Sequence, residues 1–342
     1  MDPTSRRPLG RNKLSVTALG FGAAPIGGFR ATIPEIQAIE TVAAAQQGGV
    51  NFFDTSPFYG YGRSELRVGA ALRHLPRDSL VLSSKIGRWM RPIRPGEKIE
   101  GLRPHGLSFA PVFDYSYDGV RRSLEQSLLR LGMDRIDILF IHDVDFWTIG
   151  DRDVLEQRFK DTMNGAHRAL AELRADGTIG AFGVGLNEAD MSARFVRAGD
   201  FDCVLLAGRY TLLEQGALDD FLPLCEERGV SVVLGGPFNS GILAVGGKPG
   251  AKYDYQDAPP AILERARKIE TICRRHGVAL PAAALQFPLA HPAICSVIPG
   301  ALSPQEVRDN LGHMRAPIPA ALWAELRHED LLDLRAPIPT GR

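Results

Sequence analysis

This 342-residue chain has no excess of either charge: 40 Lys plus Arg balance 40 Asp plus Glu, for a formal net charge of zero. Nucleic acids and acidic membranes are held by surplus cations, so neither is an expected partner. A small neutral or mildly polar substrate fits the balance better. Cysteine is scarce. Cys203, Cys225, Cys273 and Cys295 stand far apart, with no C-x-x-C and no paired histidine motif. They read as reduced core thiols, and no metal site is expected. No apolar run approaches the ~20 residues of a membrane span. The opening MDPTSRRPLGRNKL has early arginines but no apolar stretch behind them, unlike a secretory signal. The expectation is a soluble, cytoplasmic protein. Also missing are a G-x-S-x-G elbow and an H-E-x-x-H pair. GFGAAP is only a partial G-x-G-x-x-G without the surrounding unit that motif requires. His105, His167, His276 and His313 read as surface or cap residues without partners.

What is present is alternation. Short β-branched runs at 18–22, 50–54, 80–85, 136–142, 181–185, 203–206, 230–235 and 295–298 predict strands. Helical periodicity lies between them at 36–47, 65–75, 120–131, 159–175, 189–196, 218–227, 262–276 and 304–311. The strands are almost continuously hydrophobic (IDILFI, VSVVL), as in a parallel sheet covered by helices. Length alone would allow two domains, but α/β barrels routinely exceed 250 residues as one unit. Polar and glycine residues gather past the carboxyl ends of successive runs: DTSPFYG, SSK, IHD and GLN. A closed barrel puts its active site there, so the fold class expected is α/β, a single-domain (β/α)8 TIM barrel. Residues 9–17 are expected as an N-terminal hairpin over the opposite rim. The Pro- and Gly-rich stretch 88–119 after the third strand is too long for an ordinary connection and reads as a lid-like substrate loop. The tail 335–342 is expected to be poorly ordered.

Asp54 and Tyr59, within DTSPFYG, and Lys85 and His142, at later strand ends, form the chemical group. Tyrosine ionises near ~10 and is a poor acid–base catalyst at neutral pH. A nearby ammonium favours phenolate, and a carboxylate can hold that ammonium charged and in place. A neutral histidine can hydrogen-bond a reacting oxygen and orient it. Singly, each residue has an ordinary structural explanation: a turn cap, a rim aromatic, a solvated lysine, a satisfied strand-end histidine. Four at one rim favour chemistry.

GGVNFFDTSPFYGYGRSE, VLSSK, RIDILFIHD, GTIGAFGVGLN and VIPGALSPQEVRDNL, in this order and spacing, resemble the aldo-keto reductase family over nearly the whole chain. FDYSYDGVRRSLEQSLLRLG and LLAGRYTLLEQ look most like its branch of aldose 1-dehydrogenases and the similar pyridoxal 4-dehydrogenases. The resemblance implies that Tyr59 is the acid/base, Lys85 and Asp54 its tuners, and His142 the orienting group. It implies that Asn187 binds the nicotinamide carboxamide, with Leu186 where a serine is common. A usual glutamine falls on Ala207, and a usual stacking aromatic on Gly235. Gly235, Pro237, Gly241, Pro299, Gly300, Gln305, Glu306, Asp309 and Asn310 would surround the cofactor. Relatives that prefer NADP often carry Lys and Arg where this chain has Gly300 and Glu306. A carboxylate repels a 2′-phosphate and accepts from ribose hydroxyls, so NAD is the expected cofactor. Phe58, Trp147 and Arg209 are the candidate substrate residues.

The expected reaction is oxidation of a cyclic hemiacetal, such as an aldose, at its anomeric carbon to a lactone. Pyridoxal closes to a hemiacetal too and would give a pyridoxolactone by the same step. An NADPH-dependent aldehyde or ketone reductase and a non-catalytic cofactor-sensing scaffold stay open as rivals. Oligomeric state is not legible.

Overall fold

The computed structural model describes residues 1–11, 14–28, 32–99 and 106–339. Two strands, β1 (Arg6–Leu9) and β2 (Leu14–Thr17), form an antiparallel hairpin before the main sheet. The barrel strands are β3 (Phe21–Gly22), β4 (Phe52–Asp54), β5 (Val81–Ile86), β8 (Ile138–His142), β9 (Ala181–Leu186), β10 (Cys203–Ala207), β11 (Ser231–Gly235) and β14 (Ile294–Ile298). They pair in parallel and in chain order, and bridges Leu19–Val297 and Gly22–Gly300 join the first strand to the last. The remaining strands form two antiparallel hairpins outside the barrel: β6 (Arg88–Pro92) with β7 (Phe109–Phe113), and β12 (Lys252–Tyr253) with β13 (Gln256–Asp257). The fold is a (β/α)8 barrel in one domain.

The helices are α1 (Glu35–Gln47), α2 (Arg63–Leu72), α3 (Tyr117–Leu131), α4 (Phe146–Ile149), α5 (Arg152–Asp161), α6 (His167–Ala175), α7 (Ala189–Ala198), α8 (Phe221–Arg228), α9 (Ile242–Val245), α10 (Pro260–Arg275), α11 (Leu280–Gln286), α12 (Pro304–Arg315) and α13 (Ala320–His328). Their apolar stripes cover the outward strand residues, such as Phe53, Leu139, Phe182 and Val232, in the larger hydrophobic core. Inward residues fill the barrel: Phe52, Val81, Ile138, Phe140, Leu205, Val233 and Ile298 pack with Leu9 and Val16 of the first hairpin. That hairpin therefore plugs the end where the strands begin, leaving the carboxyl ends for chemistry.

Several elements differ from the sequence expectation. The single helix expected at 159–175 is α5 and α6 joined by a π-turn at Thr162–Ala166. α11 was not anticipated because LPAAALQ is buried on every side and shows no periodic polar face. Within 88–119, the described residues form the β6–β7 hairpin and the start of α3; residues 100–105, including His105, lie outside the described residues. Residues 335–339 are anchored where a loose tail was expected: Ala336 is buried, and Arg335 pairs with Asp219 and Asp333. His276 and His167 also have partners, contrary to expectation. His276 Nε2 lies 2.6 Å from Glu325, and His167 Nε2 accepts the Asp200 amide at 3.2 Å. All four cysteines are buried and unpaired, and burial pushes the Cys225, Cys273 and Cys295 thiols up to about 12. Among the described residues no helix is long and apolar enough to cross a membrane.

Candidate active site

Parallel pairing sets the site. Asp54 ends β4 opposite Ser83 of β5, and Lys85 lies one pleat further along the same strand. The Lys85 ammonium donates to Asp54 Oδ1 at 2.9 Å, Asp54 Oδ2 at 2.7 Å and the Thr55 carbonyl at 2.9 Å. Those acceptors take all three of its N–H donors. Ser83 Oγ donates to Asp54 at 2.8 Å. Burial pushes the Asp54 carboxyl up, and Lys85 and then Ser83 pull it back.

Tyr59 lies in the loop after β4, its amide bonded to the Ser56 carbonyl at 3.1 Å. The next residue fixes the turn. Gly60 has φ +67°, and a Cβ there would stand 1.9 Å from the Gly27 carbonyl oxygen. Only glycine tolerates both the conformation and the approach. Lys85 Nζ sits 4.7 Å from the Tyr59 ring centroid, and the His142 ring meets that phenol edge-on with centroids 6.0 Å apart. The four predicted residues thus share one rim.

The phenol differs from expectation in one respect. Burial pushes Tyr59 well above its ordinary value, Asp54, Asp143 and Tyr255 push it further, and Arg88 pulls it down. Lys85 spends its N–H donors on the ion pair and Thr55, so its charge is largely matched by Asp54 instead of acidifying the phenol. In the cofactor-free chain Tyr59 is a neutral acid.

His142 Nδ1 lies 3.1 Å from Arg88 Nη1 and 3.3 Å from Ser56 Oγ, and the Tyr115 hydroxyl donates to the His142 carbonyl at 2.7 Å. Arg88, only 3% exposed, also pairs with Asp143 at 2.8 Å. Arg88, Ser56, Tyr115, Asp143 and Tyr255 were missed by the sequence reading. The only available signal was KIGR, which puts a cation just past the Lys85 strand end.

The expected cofactor residues follow the rim. The Asn187 side-chain amide donates to Asp145 at 3.0 Å and Asp143 at 3.3 Å, and its backbone N–H to Asp145 at 2.6 Å. Ala207 pairs with Gly235 where β10 and β11 end. Gly236 (φ +58°) and Gly241 (φ +108°) keep that loop's backbone bare, with Pro237 buried between them. Asn239 clamps the loop, accepting from Thr211 Oγ1 at 2.5 Å and donating to the Gly208 carbonyl at 2.9 Å. Pro299 is buried and Gly300 exposed at the end of β14. At α12, Ser303 caps the Glu306 amide at 3.2 Å while Glu306 accepts at 2.8 Å from the amide of Leu302, one residue before the cap. Gln305 bonds to Asp309 at 2.8 Å and to Arg308, and Asn310 is half-buried one turn on. Bare glycine backbone, an amide-bearing rim and a helix N-terminus suit a dinucleotide.

Phe58 sits beside His142, with ring centroids 6.4 Å apart. Trp147 is 46% exposed and contacts Tyr255 at 5.9 Å. The Arg209 guanidinium is already held by the Asn187 carbonyl at 2.9 Å and Asp254 at 3.1 Å. It braces the β12–β13 hairpin against the loop after β9.

The Aldo/keto reductase family model matches residues 18–329: the chain belongs to that family. It is 43% identical to a pyridoxal 4-dehydrogenase of Microbacterium luteolum, covering 95% of this chain and 97% of that one. It is 39% identical to a D-threo-aldose 1-dehydrogenase of a Pseudomonas species, covering 92% and 94% respectively. An aldo/keto reductase from Klebsiella pneumoniae, solved with NADP and acetate, superposes with TM-score 0.69 at 21% identity over 99% of this chain and all (100%) of that one. The protein is an NAD(P)-dependent oxidoreductase.

Proposed function

We propose that the chain is an NAD-dependent dehydrogenase that oxidises a cyclic hemiacetal at its anomeric carbon to a lactone, with Tyr59 as acid/base. The observation that carries this reading is the Asp54–Lys85 ion pair beneath the Tyr59 ring, with His142 on the same rim. When bound, the oxidised nicotinamide supplies the hydride acceptor. Tyr59 takes the proton of the anomeric hydroxyl as its carbon loses hydride; the C–O bond becomes a carbonyl, and because that carbon already carries the ring oxygen the product is a lactone. Because the resting phenol is neutral, it must first lose its own proton, so oxidation gains from rising pH and reduction does not. His142 orients the reacting oxygen. Lys85 and Asp54 hold a fixed, internally compensated charge pair beside the phenol. Asn187 and the glycine-lined loop after β11 hold the nicotinamide side, and Pro299, Gly300 and the start of α12 hold the adenosine side.

An aldose such as L-fucose, L-galactose or D-arabinose is the first substrate reading. The pyridoxal hemiacetal is a second. It is favoured by the aromatic rim of Phe58, Trp147 and Tyr255 and by the 43% relative. A spectrophotometric screen of NAD+ reduction with these three sugars and pyridoxal tests both. Turnover with at least one is expected; turnover only of open-chain aldehydes with NADPH would overturn the proposal.

A further inference from the structure

The long segment after β5 begins with a buried cation, Arg88, that reaches the catalytic rim. Arg88 is fixed from every side: its guanidinium lies between the Phe58 ring at 4.3 Å and the Phe113 ring at 4.7 Å. Its Nη2 pairs with Asp143 at 2.8 Å, and its backbone carbonyl accepts Ser123 Oγ of α3 at 3.1 Å. Its Nη1 lies 3.1 Å from His142 Nδ1, while Nε is buried with no hydrogen-bond partner among the described residues.

A guanidinium has only donors and stays protonated. Facing it, Nδ1 can only accept, and a second donor, Ser56 Oγ, reaches the same nitrogen at 3.3 Å. The ring proton then resides on Nε2. That nitrogen has a long contact, 3.4 Å, with Asp143 Oδ1, for which a better-placed acceptor can compete. Among the described residues, the other charged or titratable groups near this cluster include Tyr59, with Asp54 and Lys85 behind it, Tyr115 and Asp145 beside Arg88, and Tyr255 from the β12–β13 hairpin.

We propose that Arg88 is a positioning residue that locks His142 in the Nε2–H tautomer, so that the ring presents one N–H donor to the reacting oxygen of the substrate. This inference rests on the assignment of His142 to that oxygen. Arg88 acts through the imidazole, as a second-layer partner orients a ligating histidine. Asp143 completes the device: it has φ +54°, uncommon for a residue with a side chain, and balances the buried guanidinium.

The test is a long-range 1H–15N correlation spectrum of the full-length chain labelled in histidine, with His142→Gln to assign the ring. The wild type is expected to show Nε2 protonated and Nδ1 bare at neutral pH. Arg88→Gln, whose amide can donate or accept, should lose that pattern and lower kcat by roughly 10–100-fold with little change in KM. Arg88→Lys, still a donor only, should keep the pattern and most of the turnover. A wild-type ring protonated on Nδ1 would overturn the proposal, even if Arg88→Gln failed to fold. So would an Arg88→Gln ring that changes tautomer without slowing turnover, or one that keeps both. The spectrum needs no substrate, so a chain inactive on every hemiacetal would defeat the functional reading while the ring nitrogens still decide this one.

Discussion

More of the groups around Tyr59 hold its proton in place than release it. Burial, Asp54 and Asp143 hold the proton on the phenol, while Arg88 opposes them. Oxidation needs the deprotonated phenol, so kcat/KM for hemiacetal oxidation should rise with pH throughout the range below the phenol's elevated value. Reduction, which consumes the phenol's proton, should stay flat through neutral pH and fall only above ~10. Initial rates in both directions across pH check this; a bell centred at neutral pH for oxidation would contradict it. The buried pair beneath the ring gives a second expectation. Lys85→Met strands the Asp54 carboxylate, only 2% exposed, and should cost about 3–5 kcal/mol of stability. Lys85→Met combined with Asp54→Asn should recover much of that loss, read as a double-mutant cycle by denaturant titration. The residue types of this group were legible because they cluster in strand-end motifs. The phenol's direction was not, because desolvation and the three donors of Lys85 depend on distances that a sequence does not contain.

At the scale of elements, the turn that carries Tyr59 and the start of α12 make separate demands. Gly60→Ala would force a side chain into φ +67° and against the Gly27 carbonyl, so the Tyr59 loop must shift. A stability loss of about 1–3 kcal/mol and a lowered kcat are expected, measured by thermal unfolding and initial rates. At α12, Glu306 both caps the helix and keeps its first turn negative. NAD should therefore bind more tightly than NADP, and Glu306→Gln should narrow that difference while costing about 1 kcal/mol or less of stability. Stopped-flow titration of both dinucleotides checks it; tighter NADP binding by the wild type would refute the role given to Glu306. Elements with strong periodicity, such as α3 and α10, were readable from the chain. The β6–β7 and β12–β13 hairpins were not: they are short, their strands gain stability from packing on the rim, and the segments reaching them are rich in proline and glycine.

The whole molecule separates stability from chemistry by end. The β1–β2 hairpin and inward side chains such as Phe52 and Phe140 fill the barrel below, and the strand ends and loops above carry Asp54, Tyr59, Lys85, Arg88, His142 and Asp143. Alternation of strand and helix made the barrel readable. The closure through Leu19 and Gly22 and the anchored segment 335–339 depend on contacts between chain ends, which no local pattern encodes. Family membership fixes the class of chemistry, and the arrangement of Tyr59 over the Lys85–Asp54 pair is what the proposed reaction depends on. The most direct test is single-turnover oxidation of L-fucose or pyridoxal by the NAD-loaded wild type and by Tyr59→Phe, with lactone formation followed alongside dinucleotide binding. Wild-type conversion to lactone, and a loss of about 10²–10⁴-fold in Tyr59→Phe with dinucleotide affinity unchanged, is the predicted result. Lactone formed by Tyr59→Phe at close to the wild-type rate would contradict the assignment of Tyr59 as acid/base.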